Sequence, residues 1–550
     1  MSRLPRRQAA QRIARAADIR SDRGVVACYP ASMRPEASVR RLPELAVAGS
    51  AFVLSLAVAA LIVRPFHVGT AGYDAAASVL YFERISSGRT LEAFVGATPK
   101  ALLTAVYGLA FSVVPDWRIV SWLAILAYAS GISATAALAY RVAGPVAAGF
   151  VAVGLIGSAE LLQDVDLAYA VSWALLCWAI AGLLVTSVTP HYAWAGLALA
   201  AGGLARAETL IVVMLGGGLI VVGALVAHRR GLPTLPFRTR VPILLGLLAL
   251  PIQAAHDWLL TGETLYAGKV PVLGSAGTPL VGVSGALRFI AGHYAAEPAL
   301  VLLALVGLAV LVARRRWDVV AWLVALGPGV AGFILLLAVE RIYVSNRYIA
   351  PADLAITFAA AIGLANVSVP LLKRATRVAR RGTGRALAAA LVGALVAFVI
   401  VRPFGPIDLP TRRAIVTNGL VHRDVALVIA PIDAALATLE HARDWPADGS
   451  PTGPTGTRAV LLVPILTVPQ MAVDLRLPLS RLTGTVATSI ATDGSYPRIG
   501  QLVFHDLDRD KPAAAFRIFE VDRPTSAGAI LLNPILVDAN HRFWLDRIDP

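Results

Sequence analysis

Residues 43–63 read PELAVAGSAFVLSLAVAALIV, with a single acid at the second position and no basic residue. A helix crosses the hydrocarbon core of a bilayer with about 20 apolar residues, and this stretch supplies them. RPFHVGT comes next without a small-x-small cleavage site, so the run reads as an uncleaved anchor. Similar runs recur near 119–139, 145–163, 168–187, 191–208, 209–227, 241–258, 299–313, 318–339, 348–370 and 386–402, giving eleven candidate spans.

Composition agrees. Of 550 residues, 57% are apolar and 15% charged, and the mean hydropathy is +0.70. That excludes a water-soluble globule. The net charge of +15 is not a nucleic-acid signal, because basic residues of membrane proteins gather in cytoplasmic loops. With the N-terminus inside and the spans alternating, inside segments hold 24 of the 49 Lys and Arg, and outside loops up to residue 401 hold ten. The odd span number then carries the C-terminal segment outside. Arg, Ala and Gly dominate, while lysine occurs only four times, as in a GC-rich bacterial genome; the expected location is a bacterial plasma membrane.

The expected fold class is an all-α polytopic membrane bundle of about 11 transmembrane helices with a C-terminal exported α/β domain. Residues 1–42 form a basic tail, expected to be disordered; 43–403 form the membrane domain, and 404–550 the extracytoplasmic domain. In that last part RAVLLVPIL, QLVFHDL and FRIFEV alternate like strands, and 424–442 is helix-like. In the first outer loop, 64–118, the half-apolar segments 74–88 and 98–113 read as interfacial helices with their apolar sides in lipid.

Ionisable groups at membrane depth are costly and mark sites. On the expected outer face they gather as Asp74 and Lys100 in the first loop, Asp164 and Asp166 in ELLQDVD, Arg206 and Glu208 in LARAETL, His293 in GHY, and Arg347 and Tyr348 in NRYIAP. Each has a plainer reading. Asp74 reads as a helix N-cap, ELLQDVD as a solvated turn, Arg206 with Glu208 as an ion pair in an external turn, and Arg347-Tyr348 as an interfacial anchor. Lys100 could simply snorkel. Asp166 is the better candidate of its pair, since Asp164 would face water. HExxH, CxxC, Walker and serine-nucleophile motifs are absent, so any chemistry runs on scattered carboxylates and cations.

In order and spacing these residues resemble the GT-C glycosyltransferases, which include protein mannosyltransferases, aminoarabinose transferases and mycobacterial arabinofuranosyl- and mannosyltransferases. Asp74 and Gly88 stand fourteen apart, as that superfamily's first-loop acid and glycine do. TPKALLTAVYGL, the outer-loop Asp166, GGLARAETL and RYIAP resemble its later motifs over residues 43–370. Two departures are a lone Asp74 where many members have paired acids, and Ala207 where a proline is common. The resemblance implies an inverting transfer of sugar from a polyprenyl-phosphate carrier to an envelope glycan, glycolipid or protein. Asp74 would be catalytic; Lys100, Arg206, Arg347 and Tyr348 would hold donor phosphate; Asp166, Glu208 and His293 would hold hydroxyls. No soluble nucleotide sugar is required, and no cofactor is certain. A divalent cation occurs in some members and is less expected with one first-motif carboxylate. A flippase of lipid-linked glycans and a non-catalytic subunit of an envelope assembly complex are the competing readings.

Overall fold

The computed structural model describes residues 34–62, 72–91, 97–230, 237–264, 266–274, 282–295, 297–339 and 348–378, and C-terminal pieces 461–464, 468–474, 476, 482–485, 502–506, 531–537 and 543–549. Met1–Ala46 is a unit of its own, whose described part is the opening of helix α1 (Arg34–Ile62). The rest of the expected 1–42 tail lies outside the described residues. Val47–Pro550 is the second unit and holds all the other elements.

The chain continues through α2 (Tyr73–Ser86), α3 (Ala101–Val113), α4 (Trp117–Ala143), α5 (Pro145–Ile156), α6 (Ala159–Asp166), α7 (Val171–Val185) and α8 (Tyr192–Ala205). Then come α9 (Glu208–Arg229), α10 (Phe237–Thr261), α11 (Tyr266–Gly274), α12 (Val283–Ala295), α13 (Pro298–Ala313), α14 (Trp317–Val339) and α15 (Ala350–Val378). Ten of the eleven apolar runs are thus helical, and 386–402 lies outside the described residues.

Not every described helix is long enough for a full span. Among the described residues six are long and apolar enough to cross a membrane, namely α1, α4, α9, α10, α14 and α15; the bent pair α12–α13 would make a seventh. The chain is a multi-pass membrane protein. The others fall short because local chemistry ends them early. The 145–163 run is broken after Ile156, where Ser158 caps α6 by accepting from the Leu161 amide at 3.3 Å. Likewise α8 stops at Arg206, whose backbone is extended.

Small residues set the packing. A Cβ on Gly307 of α13 would collide with the Ala359 carbonyl of α15, and one on Gly363 with the Leu303 carbonyl. The two backbones therefore touch, as small-residue helix pairs do in membranes. Tyr128, Ile132, Trp178 and Phe358 fill the space between the other helices. Two π-helical stretches, Val212–Gly217 in α9 and Ala325–Gly329 in α14, face each other, with Gly329 lying against Leu215. Pro328, which has no N–H, accounts for the second widening.

The interfacial expectation needs correcting for α2. Ala75 through Tyr81 are buried, so its apolar face is turned into protein rather than lipid. In α3, Leu103 and Tyr107 are buried while Leu109 and Val113 stay exposed.

In the C-terminal part five strands form one sheet in the order β2-β1-β3-β5-β4. β1 (Leu461–Pro464) runs parallel to β2 (Leu482–Thr485) and β3 (Leu502–Asp506). β5 (Phe543–Asp549) runs antiparallel to β3 and to β4 (Leu531–Val537). RAVLLVPIL and QLVFHDL hold β1 and β3, whereas FRIFEV and 424–442 lie outside the described residues. A short helix, α16 (Val468–Asp474), comes after β1.

Replacing Gly363 with Val should lower stability by about 2 kcal/mol through overpacking, read as a drop in the thermal unfolding midpoint in detergent. Gly149→Ala, where nothing lies within 4 Å, should leave the midpoint unchanged.

Candidate active site

The ends of α2, α3, α4, α7 and α8 meet in one apolar cluster containing Ala75, Leu103, Tyr107, Trp117, Ala170 and Ala205. Polar groups crown it. Gly72, the cap of α2, lies so close to the Leu167 backbone that any Cβ would strike the Leu167 carbonyl. This contact brings the first turn of α2 to the loop that succeeds α6.

Asp74 stands in that first turn. It is not the N-cap expected from sequence: Gly72 is, and no side chain caps the helix. Its carboxylate instead accepts from Lys100 Nζ at 2.7 Å, with the two side chains 15% and 18% exposed. The chain around Lys100 is fixed on both sides. Gln253 of α10 accepts from the Ala101 amide and donates to the Pro99 carbonyl, both at 3.2 Å. It also donates to Asp257 at 2.7 Å, whose other oxygen accepts from the Ala267 amide at 2.8 Å. Further back, the buried Tyr81 hydroxyl of α2 donates to the Ala97 carbonyl at 2.6 Å.

Asp164 and Asp166 are both buried, so ELLQDVD is not a solvated turn and Asp164 does not face open water. Next to them Ala168 has φ +51°, a left-handed conformation costly for a residue with a Cβ. Tyr107 holds it there by donating to its carbonyl at 3.2 Å, and Trp173 Nε1 donates to the Tyr107 hydroxyl at 3.0 Å. Arg206 is part-buried beside the buried Glu208, which takes its Nε at 3.2 Å and also its Nη2. Asp164 lies within electrostatic reach of that guanidinium. The guanidinium carbon is 5.6 Å from the centre of the Tyr348 ring, within cation–π range. Arg206 and Glu208 are therefore a local ion pair in the short turn between α8 and α9, as the plainer reading expects, and one largely shielded from solvent.

Asp74, Lys100, Asp166 and Arg206 each stand within two residues of a member of this cluster, Ala75, Leu102, Ala168 and Ala205 respectively, and the Arg206 guanidinium lies over the Tyr348 ring. His293 sits further along, pairing with Asp353 at 2.9 Å beside the Tyr294–Tyr348 apolar patch. Arg347 lies outside the described residues. Among the described residues no three His, Cys, Asp or Glu side chains converge as a metal ion needs.

Sequence reasoning missed Gln253 and Asp353. The first was detectable as a lone amide inside an apolar run, four residues before Asp257 and so on its helical face. A third omission is Asp474 of α16, whose carboxylate accepts from Trp117 Nε1 at 2.9 Å and from Gln470 at 3.1 Å. Its neighbour Val473 packs on the cluster that includes Ala75 and Ala76 of α2.

No protein-family model and no curated protein sequence matches the chain. Solved structures do. The chain is similar to ArnT from Cupriavidus metallidurans bound to undecaprenyl phosphate, at 14% identity over 93% of this chain and 98% of that one, with a TM-score of 0.45. It is also similar to the archaeal oligosaccharyltransferase AglB from Archaeoglobus fulgidus in complex with an inhibitory peptide and a dolichol-phosphate, at 11% identity over 92% and 74% of the two chains, with a TM-score of 0.47. Both are GT-C proteins, the superfamily that the sequence resembles. At these TM-scores the likeness assigns no role to any residue here.

Burial pushes the Asp474 carboxyl up to about 6, against the opposing pull of the Trp117 and Gln470 donors. A carboxyl raised on docking favours the docked state while protonated, below about 3.8, and loses that contribution as pH rises through about 6. The α16 contact should therefore loosen across that window, seen as a pH step in the tryptophan emission difference between the wild type and Trp117→Phe. Asp474→Asn should show no step.

Proposed function

We propose that this chain is an inverting glycosyltransferase that moves a sugar from a polyprenyl-phosphate carrier to a cell-envelope acceptor on the outer face of the membrane. The observation that carries the reading is the half-buried Asp74–Lys100 pair at 2.7 Å, beside a cluster whose Ala168 and Ala205 lie next to Asp166 and Arg206 in the chain.

A glycosyl phosphate already has a good leaving group, so the reaction needs one base and cations rather than a strong acid. A carboxylate paired with an ammonium is a weak base. Donor phosphate competes for Lys100 and so releases Asp74. The acceptor hydroxyl then gives its proton to the Asp74 carboxylate while its oxygen bonds to the anomeric carbon. The bond from that carbon to the phosphate oxygen breaks with both electrons staying on the phosphate, and configuration inverts. Lys100 and Arg206, with Arg347 and Tyr348, hold the phosphate charge that grows in this step. Asp166 and His293 orient hydroxyls, and Glu208 holds the Arg206 fork in place.

The membrane domain is read as 43–403, and 404–550 as an exported domain that grips the acceptor. The N-terminus lies in the cytoplasm. A transporter is disfavoured because these polar groups sit at helix ends rather than at the midplane of broken helices.

Purified protein given radiolabelled polyprenyl-phospho-sugars should consume one of them. Asp74→Asn should cut turnover at least about a hundredfold, the scale of a general base, while retaining donor binding. Turnover by Asp74→Asn at the wild-type rate would sink the reading and favour a non-catalytic role.

A further inference from the structure

Helix α6 ends in a turn that is usually built with glycine. The Tyr169 amide donates to the Asp164 carbonyl at 2.8 Å and the Ala168 amide to the Val165 carbonyl at 3.0 Å, with Leu167 between helix and turn. In this paired-bond helix stop the turning residue is left-handed, a conformation that suits glycine because it has no Cβ. The chain follows that habit at the end of α2, where Gly88 turns at φ +67° and the Arg89 and Gly88 amides donate to the Arg84 and Ile85 carbonyls. After α6 it places Ala168 at φ +51° instead, fully buried in the apolar cluster with Ala75.

Such strain persists only where the surroundings over-determine it, and here one hydroxyl supplies the restraint. Tyr107, itself fully buried, donates to the Ala168 carbonyl at 3.2 Å and accepts from Trp173 Nε1 at 3.0 Å. The Trp173 ring meets the Tyr107 ring edge-on, with 6.3 Å between centres. Three parts of the polar end meet through this hydroxyl. Tyr107 stands two turns into α3, the helix that Lys100 caps. The turn carries Asp166 two residues before Ala168. Gly72, two residues before Asp74, lies against the Leu167 carbonyl. The turn sheds its strain by flipping the Leu167–Ala168 peptide, which returns Ala168 to negative φ. That flip swings the Leu167 carbonyl, the atom on which Gly72 rests, and so displaces the start of α2.

We propose that Tyr107 is a positioning residue for sugar transfer: its hydroxyl holds the strained Ala168 turn, and that turn sets Asp166 and, through Leu167 and Gly72, the Asp74 carboxylate. This role rests on the reading of Asp74 as the base. Misplacing a reacting group by about 1 Å costs up to about a hundredfold in rate. The loss falls on kcat rather than on donor KM, because the donor phosphate is held by Lys100 and Arg206, outside the turn. A glycine in place of Ala168 adopts the left-handed conformation without restraint, so Ala168→Gly should make the Tyr107 hydroxyl dispensable.

The test compares the full chain with Tyr107→Phe, Trp173→Phe and the double variant Tyr107→Phe/Ala168→Gly on the radiolabelled polyprenyl-phospho-sugar that the wild type consumes. In Tyr107→Phe, kcat should fall about tenfold or more, the scale of a lost buried hydrogen bond, with donor KM within about twofold. Trp173→Phe should show a smaller fall, and the double variant should return to within about threefold of the wild type. Gly363→Val, destabilised far from the turn, should keep its kcat, which separates positioning from lost stability. Hydrogen exchange read by mass spectrometry follows the same link without turnover. Peptides covering Ala168–Tyr169 and Gly72–Ser78 should both exchange about tenfold faster in Tyr107→Phe and return to wild-type rates in the double variant. The proposal is overturned if Tyr107→Phe keeps the wild-type kcat while Asp74→Asn is inactive, or if Ala168→Gly restores nothing. It is overturned equally if exchange quickens at Ala168–Tyr169 and not at the start of α2. Wild-type turnover by Asp74→Asn removes the underlying reading and this role with it, a result told apart from the others because the exchange pattern then survives.

Discussion

A carboxylate beside hydrocarbon must be paired or neutralised, and the Asp74–Lys100 ion pair meets that requirement where α2 enters the bundle. The same solution repeats across this end of the molecule. Arg206 has Glu208, His293 has Asp353, and Asp257 has Gln253 and the Ala267 amide. The polar end is therefore a row of partnered groups rather than a pool of loose charge. A charged ligand enters such a row by exchanging partners, so binding an anion and freeing a carboxylate become one event.

Small residues make the row possible. Gly72 allows α2 to press its first turn onto the Leu167 backbone, and the alanines of that helix let it lie flush in the cluster with Ala170 and Ala205. Across the bundle Gly307 and Gly363 bring α13 and α15 into backbone contact. With no net hydrophobic drive between helices in lipid, such close packing is the main source of cohesion. It also fixes positions: a bundle held by backbone contacts has little room for compromise when a side chain grows.

The membrane class was legible because apolar length is a direct physical signal, and ten of the eleven runs fold as helices. Their ends were less readable. Ser158 breaks a run whose apolar residues resume at Leu161 and Leu162, and Arg206 ends α8 by its backbone conformation. The sequence reading put Asp74, Lys100, Asp166 and Arg206 on one face, and in the fold each stands within two residues of a member of the same apolar cluster. What sequence could not provide was pairing. Asp74 reads as a cap because it stands just after a glycine at a helix start, yet its partner lies 26 residues on. Asp474 was invisible, because its partner Trp117 lies 357 residues away.

These constraints also determine which part of the polar end can move. Asp74 is carried on a helix start wedged against Leu167, and it lacks the reach to leave. The backbone on either side of Lys100 is tied to Gln253, and Ala97 is tied to Tyr81. Neither main chain can retreat without breaking several buried contacts. The remaining freedom is in the Lys100 side chain itself, four carbons ending in a compact ammonium with rotatable donors. An arginine here would lock onto the carboxylate as a fork; a lysine can let go of one anion and take hold of another. The residue type therefore fits a cation that changes partner, and it makes the stem of Lys100 the moving part between the paired and the freed state of Asp74.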